Sequence, residues 1–376
     1  MKMLKVSDIV GIINKIAPPH LAEAWDNPGL QVGDPSDNVT RIMVALDATP
    51  ATISAAVSAS CQLLVTHHPF IFKPLKSIST ATPLGSQIQT AIRSGLSIVG
   101  MHTNYDIACG GLNDLLAQTI GLHESVPLRI TTSHELLKLV VFVPVDHLDR
   151  VRTALFPYTE SLGNYRDCSF ASAGEGTFTP QAGARPFVGA IGTTQKEPEE
   201  RLELLIERAN LARTVKALLA VHPYEEPAYD LYPLVNEGAK LGLGRIGRLA
   251  EVDSLAAYAR RVSELLSAPG LRFVGDPAVR ISKVALCSGS GASLLRDAVR
   301  NGADLLVTGD VKYHEARDAE DLGIALIDAG HFPTEIIMVS DVTERIERAI
   351  SAAGCTACQV LPCCIQTDPF RNITSC

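Results

Sequence analysis

Short apolar runs separated by turns and amphipathic stretches recur toward both ends of the chain. Arg41–Leu46 (R-I-M-V-A-L), Leu63–Val65 and Ser97–Met101 predict interior strands in the first third, and Lys283–Leu286, Asp304–Val307 and Ile324–Ile327 in the last. Leu271–Val274 reads as one more strand. Helical spacing fills the gaps. Ile9, Ile12, Ile13 and Ile16 share a face of an opening helix capped by Ser7 or Asp8 and stopped by Pro18-Pro19. Thr49-Pro50 is a cap and first-turn pair for a helix through Ser60. Further helices are predicted around Leu84–Ser94, from Leu112 to Ile120, over Ser254–Leu266 and Tyr313–Leu322, and after Glu335 to about Ala352. Strands alternating with helices predict parallel sheets covered by helices.

The pattern changes from about His134. Leu136–Val145 reads as strand and Asp146–Phe156 as helix, followed by a Gly-, Ser- and Pro-rich stretch to Pro186. Phe187–Ile191 reads as strand, Glu199–Ala220 as a broken helix and Ala228–Leu234 as a closing strand. A compact α+β insertion is expected here, which divides the chain into 1–132, 133–236 and 237–376. An internal echo links the outer parts. V-A-L-D followed by L-L-V-T-H-H in the first matches V-A-L-C followed by L-L-V-T-G-D in the last. The expected class is therefore α/β, with two related lobes of parallel-rich sheet interrupted by an inserted α+β domain.

Composition narrows the function classes. The chain has 376 residues, 46% hydrophobic and 20% charged, as in ordinary globular proteins. A net charge of −8 argues against a general nucleic-acid backbone binder. No apolar run reaches the roughly 18 residues of a membrane span, and a cytoplasmic protein is expected. Cys355, Cys358, Cys363, Cys364 and Cys376 crowd the tail. Cys355-x-x-Cys358 before Cys363-Cys364 could hold zinc, but adjacent cysteines make an awkward ligand pair and no strand or helix frames them. Reduced thiols are the expectation.

The chemistry gathers at strand ends. His67-His68, His102 to Asp106, Asp310 and His331 all follow predicted parallel strands, at the edge where open α/β sheets bind ligands. Adjacent residues of extended chain point to opposite sides, so His67 and His68 can serve two ions. Three imidazoles (His67, His68, His331) and two carboxylates (Asp106, Glu335) suit two divalent ions such as Zn, Mn or Fe, with one carboxylate bridging. His331 and Glu335 share a face only if the turn is helical from His331. His102 is a candidate hydrogen-bonding partner or proton shuttle, and Asp47, Asp310 and His314 are candidate pocket-lining groups. Gly289-x-Gly291 reads as a tight turn, His222–Glu226 as a strand-entry loop and Ala24–Asp34, with the only tryptophan, as a turn-rich loop.

T-H-H-P-F-I-F, M-H-T-N-Y-D, H-P-Y-E-E-P-A-Y-D and G-H-F-P-T-E, in this order, resemble the family of GTP cyclohydrolase 1 type 2 homologs, the YbgI-like proteins. The resemblance spans nearly the whole chain. It implies two α/β lobes around a dinuclear metal site, a toroidal homohexamer and, in the long form, a ferredoxin-like inserted domain of the PII/CutA kind. By motif it places the metal ligands on His67, His68, Asp106, His331 and Glu335, with Glu335 bridging. It implies a hydrolase in which activated water attacks a purine nucleotide, with His102 or His314 moving protons. The competing reading is a non-catalytic metal-binding regulatory toroid whose insertion senses a small molecule or a partner.

Overall fold

The computed structural model describes residues 3–355 and 357–371. Cys376 lies outside the described residues. The chain divides into two compact units, one of Met1–Thr131 with Leu241–Cys376 and one of Thr132–Lys240.

The first unit holds two parallel-rich sheets. One runs in the order Gln359–Pro362, Arg41–Ala45, Leu63–Thr66, Ser97–Gly100, Gly29–Val32. Its first four strands are parallel and Gly29–Val32 is antiparallel. In the other, Arg280–Leu286, Leu305–Thr308 and Ala325–Asp328 are parallel neighbours. Arg272–Val274 and the 245–254 stretch of the strand Tyr229–Ser254 flank them antiparallel. The central strands are buried on both sides, which explains their unbroken apolar runs. Helices Val6–Ile16 and Met338–Ala352 cover one face of the first sheet, and Pro50–Ser58 and Pro83–Arg93 cover the other. Helices Leu112–Thr119 and Leu255–Leu265 cover one face of the second sheet, and Leu295–Arg300 and Tyr313–Leu322 the other. In both sheets the echoing segments are adjacent parallel strands. Val44 pairs with Val65 and Val284 with Leu305, the same 21-residue offset.

The second unit follows the order strand, helix, strand, strand, helix, strand. Its strands come from Leu122–Pro144, Ser169–Phe178, Gln195–Glu207 and Tyr229–Ser254, and its helices are Leu148–Leu155 and Leu211–Val221. The fourth strand lies beside the first, the first beside the third and the third beside the second. Both helices and the buried strand residues share one core.

Several sequence expectations are corrected. The expected broken helix Glu199–Ala220 is a strand, Gln195–Glu207, followed by a helix, Leu211–Val221. Leu202, Leu204 and Ile206 are buried at every second position, so period-two burial overrides the helix-favouring Glu and Leu content. Phe187–Ile191 forms no strand and both named ends are exposed. Ser169–Phe178, rich in small residues and without apolar alternation, is a strand. The opening helix starts at Val6, because Lys5 is still paired to Asn38. Asp8 serves from the third helical position by accepting the Lys5 N–H at 2.8 Å. The tail cysteines are framed by a strand after all, Gln359–Pro362 at the sheet edge. Among the described residues no helix is long and apolar enough to cross a membrane.

Candidate metal centre

Four strand ends of the first unit supply the centre. The buried strand Leu63–Thr66 delivers His67 and His68, whose backbone N–H groups both donate to Leu46 O at 3.1 Å. Thr66 Oγ1 donates to His68 O at 2.8 Å and fixes the turn before Pro69. Strand Ser97–Gly100 leads into the short helix Thr103–Ile107 that carries Asp106. Strand Leu305–Thr308 ends at Asp310, held at a left-handed φ of 56°. Strand Ala325–Asp328 is followed by Gly330 at φ 88°, a value open to glycine, and then by one helical turn, His331–Glu335. That turn is helical from His331, so His331 and Glu335 do share a face.

The polar atoms sort themselves about the two oxygens of Glu335. His67 Nε2 lies 3.7 Å from Oε1 and 3.8 Å from Asp106 Oδ1. His68 Nε2 and His331 Nε2 lie 3.1 and 3.0 Å from Oε2, and 3.2 Å from each other. Close as they are, His67 Nε2 and Glu335 Oε2 are buried with no hydrogen bond of acceptable geometry. Two buried polar atoms left without a hydrogen bond, in a space onto which further imidazole nitrogens converge, fit cations between them better than they fit a closed hydrogen-bond network.

Each imidazole is oriented from behind. His67 Nδ1 meets Met101 O at 2.9 Å, His68 Nδ1 meets Asp47 Oδ1 at 2.8 Å, and His331 Nδ1 meets Asp310 Oδ2 at 2.7 Å. In all three Nε2 is left for the centre, the arrangement of metal-ligating histidines. His102 is held in the same way by Asp26 Oδ1 at 2.8 Å. His67, His68 and His102 form one group whose ligand atoms lie within 4.8 Å of one another, and His68, His331 and Glu335 form another. Asp106 meets His67 and receives Ser288 Oγ at 3.3 Å.

Electrostatics follow the geometry. Burial opposes charge on Glu335, yet His67, His331 and His68 hold its carboxyl well below the usual range. Burial opposes protonation of His68, but Asp47 and Glu335 raise it to about 10. His331 is raised to about 9 against its burial by Glu335 and Asp310. Burial likewise opposes charge on His67, and Asp106 and Glu335 raise it. Burial, with the charge of Glu335 beside it, pushes Asp106 up against the pull of His67. The centre thus collects positive charge around one buried carboxylate, from protons or from metal.

His67, His68, Asp106, His331 and Glu335 come together as the sequence suggested, with Asp47 and Asp310 behind two of them. His314 does not join them. It is exposed on the first turn of Tyr313–Leu322, its ring 5.4 Å from that of Tyr313. Asp26, Met101 O, Ser288 and Asn113 were not singled out by sequence reasoning. Asp26 sits in the Trp25 loop, and only the fold brings it to His102, 76 residues away. Asn113 joins two elements, donating to Asp106 O at 3.1 Å and accepting from Ser288 N at 2.9 Å. Trp25 and Phe72 are exposed rings 5.8 Å apart, and lie 5.9 and 6.3 Å from the ring of His102. The tail cysteines enter no comparable group among the described residues.

Comparison with known proteins places this geometry. A protein named GTP cyclohydrolase 1 type 2 homolog from Halalkalibacterium halodurans is 40% identical over 374 residues, covering 99% of this chain and 100% of that one. One of the same name from Bacillus subtilis is 37% identical over 346 residues, 92% of each. The crystal structure of a Bacillus cereus protein related to NIF3 superposes with a TM-score of 0.93 at 37% identity, covering 99% of this chain and 100% of that one. Residues 4–369 match the family model described as Duf34/NIF3 (NGG1p interacting factor 3), and the chain belongs to that family.

Proposed function

We propose that the chain is a hydrolase that works through two divalent ions on a purine nucleotide or a similar flat heterocycle. The observation that carries this reading is the division of ligands about Glu335. His67 Nε2 lies 3.7 Å from Oε1 and 3.8 Å from Asp106 Oδ1, while His68 and His331 meet Oε2. A carboxylate with a separate donor set at each oxygen suits a bridge between two ions. The imidazole and carboxylate donors favour Zn, Mn or Fe. When bound, such ions acidify water and stabilise negative charge on a substrate.

The chain's own residues do the rest. His67, His68 and His331 present Nε2 because Met101 O, Asp47 and Asp310 hold their other nitrogens. Asp106 and Glu335 offset cationic charge. His102, anchored by Asp26, keeps its second ring nitrogen for moving a proton, a role assigned to it rather than to the exposed His314. Trp25 and Phe72 offer exposed rings beside His102 on which a flat base can stack.

The finer features of the resemblance belong to the same proposal. The strand–helix–strand–strand–helix–strand order of the second unit, with its fourth-first-third-second sheet, supports a ferredoxin-like insertion of the PII/CutA kind. A homohexamer is the expected assembly, which light scattering checks. The function is tested by incubating metal-loaded protein with GTP and a nucleotide panel beside Glu335→Ala. Formate released from GTP by wild type alone supports the cyclohydrolase form, and phosphate release supports a phosphohydrolase. Bound ions with no turnover of any nucleotide overturn the hydrolase reading in favour of a regulatory assembly.

A further inference from the structure

The second unit carries an open cavity of about 680 Å³, built from its own residues. Cavities of roughly 300–1,000 Å³ accept small organic molecules. Four aromatic side chains line it. The ring of Tyr224 lies 5.7 Å from that of Phe178 and 6.1 Å from that of Phe187, both tilted, and Phe142 adds a further apolar surface. Glu199 also lines it, only 8% exposed. One of its oxygens, Oε1, accepts the Tyr224 hydroxyl at 2.9 Å. The other, Oε2, accepts no hydrogen bond from a described residue. It occupies the space where Gly176 lacks a side chain, and a Cβ at 176 would overlap it. Gly176 therefore makes room for this carboxylate.

Three of the remaining charges on the wall are already engaged. Arg201 pairs with Glu203, Glu175 with Lys196 at 2.8 Å, and Glu225 accepts Arg185 N at 2.6 Å. Glu226 is exposed. Glu199 keeps one oxygen for a charged donor, hydrogen bonds to a carboxylate are stronger than neutral ones, and cations are attracted to aromatic faces. A phosphate would instead be set among Glu175, Glu199, Glu225 and Glu226, with Arg201 as the single positive group on the wall. We propose that this cavity binds a small organic cation, an amine, amidine or guanidine on a flat or apolar body, paired with Glu199 and framed by Phe178, Phe187 and Tyr224. The inference is independent of the metal centre and of the hydrolase reading.

The test is calorimetric titration of the full chain with benzamidine and tryptamine, against their neutral counterparts benzamide and indole, and against ATP. Wild type is expected to prefer at least one cation over its neutral counterpart by about thirtyfold or more, the ratio expected when a desolvated charge pair is broken. Glu199→Gln is expected to abolish that preference while keeping the Tyr224 hydrogen bond. Gly176→Ala, which displaces the carboxylate but keeps its charge, should weaken cation binding as well. Near-ultraviolet circular dichroism reports whether each variant retains its packing. No cation binding by wild type up to about 10 mM, equal binding of neutral counterparts, tighter binding of ATP, or an unchanged preference in folded Glu199→Gln would each overturn the proposal.

Discussion

Asp310→Asn separates the charge behind His331 from the shape of its turn. Asp310 holds a left-handed φ of 56°, a conformation that asparagine adopts readily and alanine does not, so the substitution spares the backbone. Asparagine can still offer an oxygen to His331 Nδ1, now 2.7 Å from Asp310 Oδ2, but without negative charge. The imidazole becomes a weaker base and a weaker ligand. Groups that orient metal-binding histidines are worth roughly 10–100-fold in affinity. The Asp310 side chain is 45% exposed, so water screens its charge and the lower end applies. We expect about a tenfold loss, near 1.4 kcal/mol. Asp47→Asn acts on His68 across 2.8 Å with 44% exposure, and a similar loss is expected. Because His68 and His331 both meet Glu335 Oε2, the double variant should depart from additivity. Competition with a chelator, using Zn and Mn separately, measures each loss, with the exposed Asp318→Asn as control. Unchanged affinity in Asp310→Asn, or an equal loss in the control, refutes the reasoning.

Three other outcomes are expected. Asp26 is opposed by burial but held at about 2 by hydrogen bonds from His102 and Thr103, against a usual 3.8. A depressed carboxyl contributes stability above its unfolded pKa, here roughly 2 kcal/mol, and loses it as pH falls from about 4 through 2. Urea unfolding against pH should show that loss in wild type and not in Asp26→Asn; matching curves count against the pairing. Gly289→Ala puts a Cβ into Glu335 Oε1 and 3.2 Å from His331 Cε1, at a φ of 56°. It should reduce ion content while the fold persists by circular dichroism, and full ion content would contradict this. Because His68 and His331 hold protons to about 10 and 9, metal uptake at pH 7 should release protons and tighten as pH rises. A weakly buffered titration with a pH indicator reads this directly, and uptake without release contradicts it.

The first unit was legible because its strands are buried on both sides and read as uninterrupted apolar runs bounded by turns. The gathering of the candidate site residues was legible for a related reason, since parallel strands deliver their ends to one edge and His67, His68, Asp106 and His331 follow those ends. What failed lay where local signals conflict with packing. Gln195–Glu207 carries helix-favouring residues but buries every second side chain, and Ser169–Phe178 has too few apolar residues to show a period. Asp26 could not be found from sequence at all. Its partner is 76 residues away, and nothing in a loop of turn residues says which strand end it will meet. The cavity about Glu199 was equally hidden, because its glutamate lay in a segment expected to be helical.

The most direct test is the metal content of purified protein after reconstitution with Zn, Mn or Fe, beside Glu335→Gln. Glutamine keeps the size of the side chain but gives up the charge shared by both donor sets. The expected result is about two divalent ions per wild-type chain and loss of both in Glu335→Gln, since the bridge serves the two together. Wild type that takes up no ion, or a variant that keeps its full complement, would contradict the dinuclear centre.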